Sequence, residues 1–458
     1  MLNLMLRKEF RGAGMPGTVI VLHKDNSQGA TDISTEDFLK ITYPTADVIK
    51  AVKTVKAERD GGPVVLMGGR GKGKSHLMAV LHHAIVKPAF VEQWLKDWSI
   101  KLEDSSLAKV NIVKGFIPIS ETLSEHEYST IWDFLFNRHP KGQYYKGQFE
   151  SSGTPVPAKS LMVKMFTEHP TCLILDEFQT WFDSLPSSGN VQSTPERAFN
   201  FIQILSEISK DHPDKLMLIV SLRDNTSEAF KQIHRQGPLL IDFSGATAKQ
   251  DRQKLILHRL FENRLNIPPE DIANLTSVYA SERYRLLYSQ PGTSNPQKIA
   301  DEVTACWPFA PELLNLLEDQ ILMTSAAQDN RDMIRILAMV FKSKGENAAI
   351  ITSAKFAVED DAAGVQSLVD SIGADPGKDR LREIAQSNLQ EIISSNVNIP
   401  YKSEMVASIW MHSMAPDRKC GVKAPELQLA LSADSAIDDN AFRCWLANLV
   451  DHSINIHN

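Results

Sequence analysis

The stretch Gly68-Gly69-Arg70-Gly71-Lys72-Gly73-Lys74-Ser75 constrains this chain more than any other, because it fits G-x-x-x-x-G-K-[ST]. The pattern carries meaning only between a strand and a helix. Both are expected here: Pro63-Val64-Val65-Leu66-Met67 reads as a buried parallel strand, and residues 76–86 have helical spacing. Glycines let such a loop turn its N–H groups onto phosphate oxygens, and the helix N-terminus adds partial positive charge. The pattern predicts a phosphate cradle of Gly68, Gly69, Arg70, Gly71, Lys72, Gly73, Lys74, Ser75 and His76. Lys74 would reach the β- and γ-phosphates of ATP, and the Ser75 hydroxyl would hold Mg²⁺.

A second stretch, Thr171-Cys172-Leu173-Ile174-Leu175-Asp176-Glu177, lies about a hundred residues further on. An apolar strand ending in Asp-Glu carries a metal carboxylate, Asp176, and next to it a carboxylate, Glu177, able to orient and deprotonate water. Together the two stretches point to the additional-strand ATPases, which include the AAA+ class. In that class a sensor residue ends the strand read at 215–224, which makes Ser221 or Arg223 the candidate. Arg235 closes the following helix (227–235), where an arginine finger or an ordinary surface arginine would stand. Residues 239–243 are the fifth strand.

Ahead of the loop, 17–22 reads as a strand and 38–43 as a second extended segment, broken by Pro44. Thr45 caps a helix over 46–57. Tyr43 and Pro44 either lie against the adenine or pack in the core. Residues 108–113 with 116–119 read as a strand, and 139–157 as an exposed polar insertion. Helices are expected at 90–98, 128–136, 159–168 and 195–209, with a loop at 184–194. From Thr247 the pattern is helical only: 248–266, 271–282, 295–305, 311–324 and 331–341, resembling the lid of AAA+ proteins. On the last of these Arg331 is the candidate second sensor, with Arg335 in reserve. An acidic break at 359–364 precedes another helix, and 374–378 is a turn and domain boundary. Helices at 380–394, 403–414, 422–431 and 438–452 and a final strand at 453–458 have a winged-helix-like order. The fold expected is α/β: a P-loop core with a parallel sheet and helices on both faces (36–245), after an N-terminal extension (1–35). A helical lid (246–345), a linker (346–379) and a winged-helix-like domain (380–458), truncated at its second wing strand, follow.

The net charge of −7 argues against a generally basic nucleic-acid binder. From Leu381 onward six Lys/Arg face nine Asp/Glu, where a DNA-reading face should be basic. No apolar run reaches the roughly 18–20 residues that span a membrane. The first ten residues lack the pattern of a signal peptide. Cys172, Cys306, Cys420 and Cys444 have no metal-ligand spacing, which fits a reduced, cytoplasmic protein.

Several stretches together resemble the large P-loop ATPases of bacterial phage-defence islands, the BrxC/PglY type of the BREX systems. They are the 38–45 lead-in, the glycine loop, Trp132-Asp133-Phe134-Leu135, Ile174-Leu175-Asp176-Glu177 and Phe201-Ile202-Gln203-Ile204-Leu205-Ser206-Glu207. Arg259-Leu260-Phe261-Glu262, Trp307-Pro308-Phe309-Ala310-Pro311-Glu312-Leu313-Leu314 and Arg331-x-x-x-Arg335-Ile336-Leu337-Ala338 also match. Ala310 stands where many relatives have His. The likeness spans about residues 35–345. It implies an ATP-hydrolysing motor or switch in an oligomeric antiviral complex. Its partners would be a DNA methyltransferase and other system proteins, with DNA reached directly or through them. Two other readings of the residues stay open: a non-hydrolysing, nucleotide-gated module, and an initiator-like DNA-loading ATPase. Glu177 favours hydrolysis, because a pure switch needs no base.

Overall fold

The computed structural model describes residues 2–12, 21–23, 29–69, 71–125, 128, 130–185, 194–243, 248–289, 295–322, 330–345, 348–360, 365–372, 376–415 and 421–457. The chain forms two compact units. One is Val19–Asp251; the other joins Met1–Thr18, with its single helical turn α1 (Lys8–Arg11), to Arg252–Asn458.

The first unit holds a parallel sheet of order β2-β3-β4-β1-β5. Its strands are β1 (Val64–Met67), β2 (Ile117–Thr122), β3 (Thr171–Asp176), β4 (Leu216–Leu222) and β5 (Leu239–Asp242). Strands β3 and β4 are buried along their whole length, so they read as continuous apolar runs rather than alternating ones. The edge strand β5 buries only Ile241. Around the sheet stand α2 (Thr35–Lys40), α3 (Ala46–Thr54), α4 (Lys74–Val86), α5 (Pro88–Lys101), α6 (Ile131–Arg138), α7 (Gly142–Ser152), α8 (Lys159–Glu168), α9 (Phe178–Asp183), α10 (Pro195–Asp211) and α11 (Glu228–His234). Helix α4 packs on β2 and β3, with α10 on β4. The Thr45 hydroxyl caps α3, accepting from Val48 N–H at 3.2 Å.

Several elements differ from expectation. Residues 38–43 are not extended, because Phe38 and Leu39 belong to α2. Ser34 caps that helix through Asp37 N–H, and Lys40 pairs with Glu36 and Asp37 at 3.1 and 3.0 Å. The cap and pairs outweigh the apolar run. The expected strand at 108–113 is a 3₁₀ turn (Leu107–Lys109) followed by one antiparallel bridge from Ile112 to Lys56. The supposed insertion at 139–157 contains α7, whose Tyr145 is buried and whose Phe149 meets Trp132 and Phe136 edge-on or tilted. Gly142 lets it start there, since a Cβ would lie 1.8 Å from the Phe136 carbonyl oxygen. Most of the strand expected at 17–22, and of the loop at 184–194, lies outside the described residues; Val21 and Leu22 are not in a strand.

The second unit is helical among its described residues: α12 (Ala248–Leu260), which starts in the first unit, α13 (Pro269–Leu275), α14 (Ser277–Arg283), α15 (Pro296–Cys306), α16 (Pro311–Leu316), α17 (Asn330–Lys344), α18 (Val365–Ile372), α19 (Pro376–Ser394), α20 (Lys402–Ser413), α21 (Ala424–Leu431) and α22 (Asp439–Asp451). Helix α12 is shorter than expected, since Phe261 leaves it to bridge Leu6. The helix expected at 271–282 breaks at Thr276, and 311–324 changes to π-helical winding at Leu317–Ile321. One apolar core runs from Ile256 to Ile456, so the lid-like helices and the C-terminal helices share it. The final strand is absent among the described residues. The N–H groups of Ile454 and Asn455 instead donate to the Glu391 and Asn388 side chains at 3.3 and 3.1 Å. No helix among the described residues is long and apolar enough to cross a membrane.

Candidate functional site

The site is built at the C-terminal ends of β1, β3 and β4. Strand β1 leaves the sheet at Gly68, whose N–H donates to the Leu222 carbonyl at 3.2 Å. Gly71 and Gly73 then take φ of +77° and +100°, which side-chain-bearing residues rarely adopt. Gly73 is the N-cap of α4 and offers no capping side chain, so the first-turn N–H groups stay available to an anion. Lys74 Nζ donates to the Gly68 and Gly69 carbonyls at 2.6 and 2.7 Å, which holds the ammonium over the loop. Ser75 is half-buried in the first turn of α4. Lys72 is half-buried in the loop, and Arg70 lies outside the described residues. His76 is engaged with the lead-in: its Nε2 is 2.9 Å from Thr42 Oγ1 and its ring stacks on Phe38.

Two strands away, Asp176 ends β3 at 2% exposure. Its Oδ1 accepts from the Ser221 hydroxyl at 2.6 Å and from Glu177 N–H at 2.8 Å. Its Oδ2 accepts nothing among the described residues. Ser221 Oγ also accepts from Glu177 N–H at 2.8 Å, so β4 fixes both acidic residues from one hydroxyl. Glu177 sits at φ +52°, in the left-handed region, as the N-cap of α9. Its carboxylate accepts from Ser124 Oγ, in the 3₁₀ turn (Leu123–Glu125) after β2. Facing Asp176 across the β2–β3 register is Thr122, whose Oγ1 is buried without a hydrogen-bond partner.

Arg223, one residue past β4, donates its N–H to Gln179 Oε1 at 2.8 Å, and its guanidinium bonds Thr180 Oγ1. Gln179 is buried, and its amide nitrogen donates to Asp224 at 3.1 Å. Bonds from the Thr226 hydroxyl, then from Gln179, hold the Asp224 carboxyl down at about 2. Arg235 is exposed just past α11, with no hydrogen bond or ion pair among the described residues. Arg331 and Arg335 lie on α17 of the second unit, the Arg331 side chain outside the described residues. Tyr43 is buried edge-on against Trp98 at 5.1 Å, and burial, then Asp251, pushes its phenol up to about 12.

Sequence reasoning missed Ser124, Gln179, Thr122 and the wholly buried Glu121. Glu121 pairs with Arg138 at 3.3 Å and accepts from Tyr128 at 3.2 Å. Only Gln179 had a signal, in Asp176-Glu177-Phe178-Gln179, and it was not specific. No protein-family model matches the chain, and no curated protein matches it either.

Proposed function

We propose that this chain is a P-loop ATPase of the additional-strand class that binds and hydrolyses ATP. The observation that carries the reading is the sheet order, with β4 inserted between β1 and β3 and its Ser221 tied to Asp176. The residues present fit ATP and Mg²⁺. The loop has its positive-φ glycines, the α4 N-terminus is uncapped, Asp176 keeps one oxygen unbonded, and Thr122 leaves a buried hydroxyl beside it. Ser75 and Asp176 would hold Mg²⁺, which when bound offsets phosphate charge; one or two protein ligands are usual for this ion.

In this reading Lys74 leaves the Gly68 and Gly69 carbonyls to meet the outer phosphates. Glu177 orients the attacking water and takes its proton. Ser221 keeps both acids in place, and Arg223 is the sensor, its backbone clamped by Gln179. Arg235 would act on a neighbouring subunit's nucleotide in a homo-oligomer, which its exposure supports. The role in a phage-defence complex, with a DNA methyltransferase and DNA as partners, is supported by the resemblance of the quoted stretches.

The test is turnover and nucleotide binding by the full chain, with and without DNA. Lys74→Ala should abolish binding, and Glu177→Gln should bind ATP while losing turnover by about 10²–10⁴-fold. Normal nucleotide affinity in folded Lys74→Ala would overturn the assignment. Wild-type turnover in Glu177→Gln would remove Glu177 from the role of base.

A further inference from the structure

The helical unit carries a cavity of about 180 Å³, partly open to solvent, that the nucleotide site does not use. Two π-helical turns contribute to its wall: Tyr284–Tyr288, which continues α14, and Leu317–Ile321, which continues α16. Such winding is rare and recurs at functional sites. The polar lining groups include Glu312, Glu426, Asn315, Gln320, Tyr279 and Tyr288. Among the described residues no lysine or arginine lines it.

Glu312 is held by two donors. Its Oε1 accepts from Arg283 Nε at 2.6 Å and its Oε2 from the Tyr279 hydroxyl at 2.8 Å. Arg283, 1% exposed, lies behind it and also bonds Glu302 at 2.9 Å. Each Glu312 oxygen retains a second lone pair, and the side chain is 26% exposed. Glu426, half-buried in the first turn of α21, has no hydrogen bond or ion pair among the described residues. Arg283 offsets one of the three carboxylates Glu302, Glu312 and Glu426, so the surroundings stay negative. Among the described residues, His412 is the remaining titratable lining group outside the carboxylates and tyrosines.

We propose that this cavity binds an alkylguanidinium group between Glu312 and Glu426. An apolar cavity of about 150 Å³ admits benzene, so this one suits a ligand of roughly six to nine heavy atoms. Two carboxylates and the amide oxygens of Asn315 and Gln320 suit a planar cation with five N–H donors better than a compact ammonium. The group could come from a free metabolite or from an arginine side chain of a partner protein; the chemistry is shared.

The experiment is calorimetric titration of the full chain at about pH 8, where histidines carry little charge. Agmatine is the probe; putrescine and the uncharged butylurea are the comparisons. Agmatine should bind one saturable site, more tightly than putrescine, with no butylurea binding. Glu426→Gln should weaken agmatine by about tenfold or more, since a charge-assisted bond is lost, at an unchanged melting temperature. Glu312 is left intact because Arg283 depends on it. A blocked Gly-Arg-Gly peptide separates the sources. Binding equal to agmatine's supports a protein side chain as the ligand, and agmatine binding alone supports a small molecule. No agmatine binding up to about 10 mM, equal affinity in Glu426→Gln, or putrescine binding as tightly would overturn the proposal.

Discussion

Ser221→Ala tests the centre of the site while leaving both acidic side chains, Asp176 and Glu177, in place. The Ser221 hydroxyl, 1% exposed, donates to the Asp176 carboxylate at 2.6 Å and accepts from Glu177 N–H at 2.8 Å. Alanine removes both bonds. The Glu177 N–H keeps its other acceptor, Asp176 Oδ1 at 2.8 Å, so that half of the loss is small. The Asp176 half is larger: a nearly buried carboxylate loses one of two donors, and bonds to charged groups contribute about 1.5–3 kcal/mol. Destabilisation should therefore fall near 2 kcal/mol. Ser206→Ala is the control. Ser206 is equally buried, but its hydroxyl donates at 2.7 Å to the neutral Ile202 carbonyl within α10, so about 1 kcal/mol or less is expected. Urea unfolding, read at constant slope, measures both. Phosphate release should fall at least about tenfold in Ser221→Ala, because both acids lose their common anchor. If Ser221→Ala is no less stable than Ser206→Ala, the hydroxyl does not hold Asp176 as described.

Ser124→Ala frees the Glu177 carboxylate from its only side-chain bond among the described residues. It should lower kcat roughly tenfold at unchanged KM, and an unchanged kcat would refute a positioning role. His82 reports on the packing of α4. Burial, then neighbouring His83, pushes its ring down to about 4, and its Nδ1 lies 2.8 Å from Ser120 Oγ. Between about pH 6.5 and 4 the unfolded chain binds a proton that the folded chain refuses, so stability falls as pH falls, by up to about 3 kcal/mol. Urea midpoints at the two ends should show this slope in the wild type and a flatter one in His82→Gln; equal slopes would refute it. Arg235→Ala should retain ATP binding and lose turnover by about 10³–10⁵-fold. Mixing it with Glu177→Gln chains should restore part of the activity, and no recovery in proven mixed oligomers would count against action in trans.

What was legible in the sequence is what short-range chemistry decides. Strands β1, β3 and β4 were visible because burial on both faces leaves unbroken apolar runs, and Thr45 announced α3 because a cap acts on its own first turn. Asp176 and Glu177 were readable from that same strand logic. Helix α2 was misread because Phe38 and Leu39 sit beside Ile41 and Tyr43, while its Ser34 cap lies outside the apolar run. Helix α7 was missed because only two aromatics four residues apart, Tyr145 and Phe149, mark its buried side. The partners of the two acids were hidden for a different reason. Ser124 reaches Glu177 across 53 positions, Ser221 reaches Asp176 across 45, and Gln179 reaches Arg223 across 44, so nothing local specifies them. Glu177 joins the two levels. Its left-handed backbone is unfavourable for a side-chain-bearing residue by about 1–2 kcal/mol. Its N–H is shared by Asp176 at the end of β3 and Ser221 on β4, and its carboxylate is held by Ser124 after β2. The orientation of the proposed base is therefore a property of three neighbouring strands of the sheet, although its identity is a property of one.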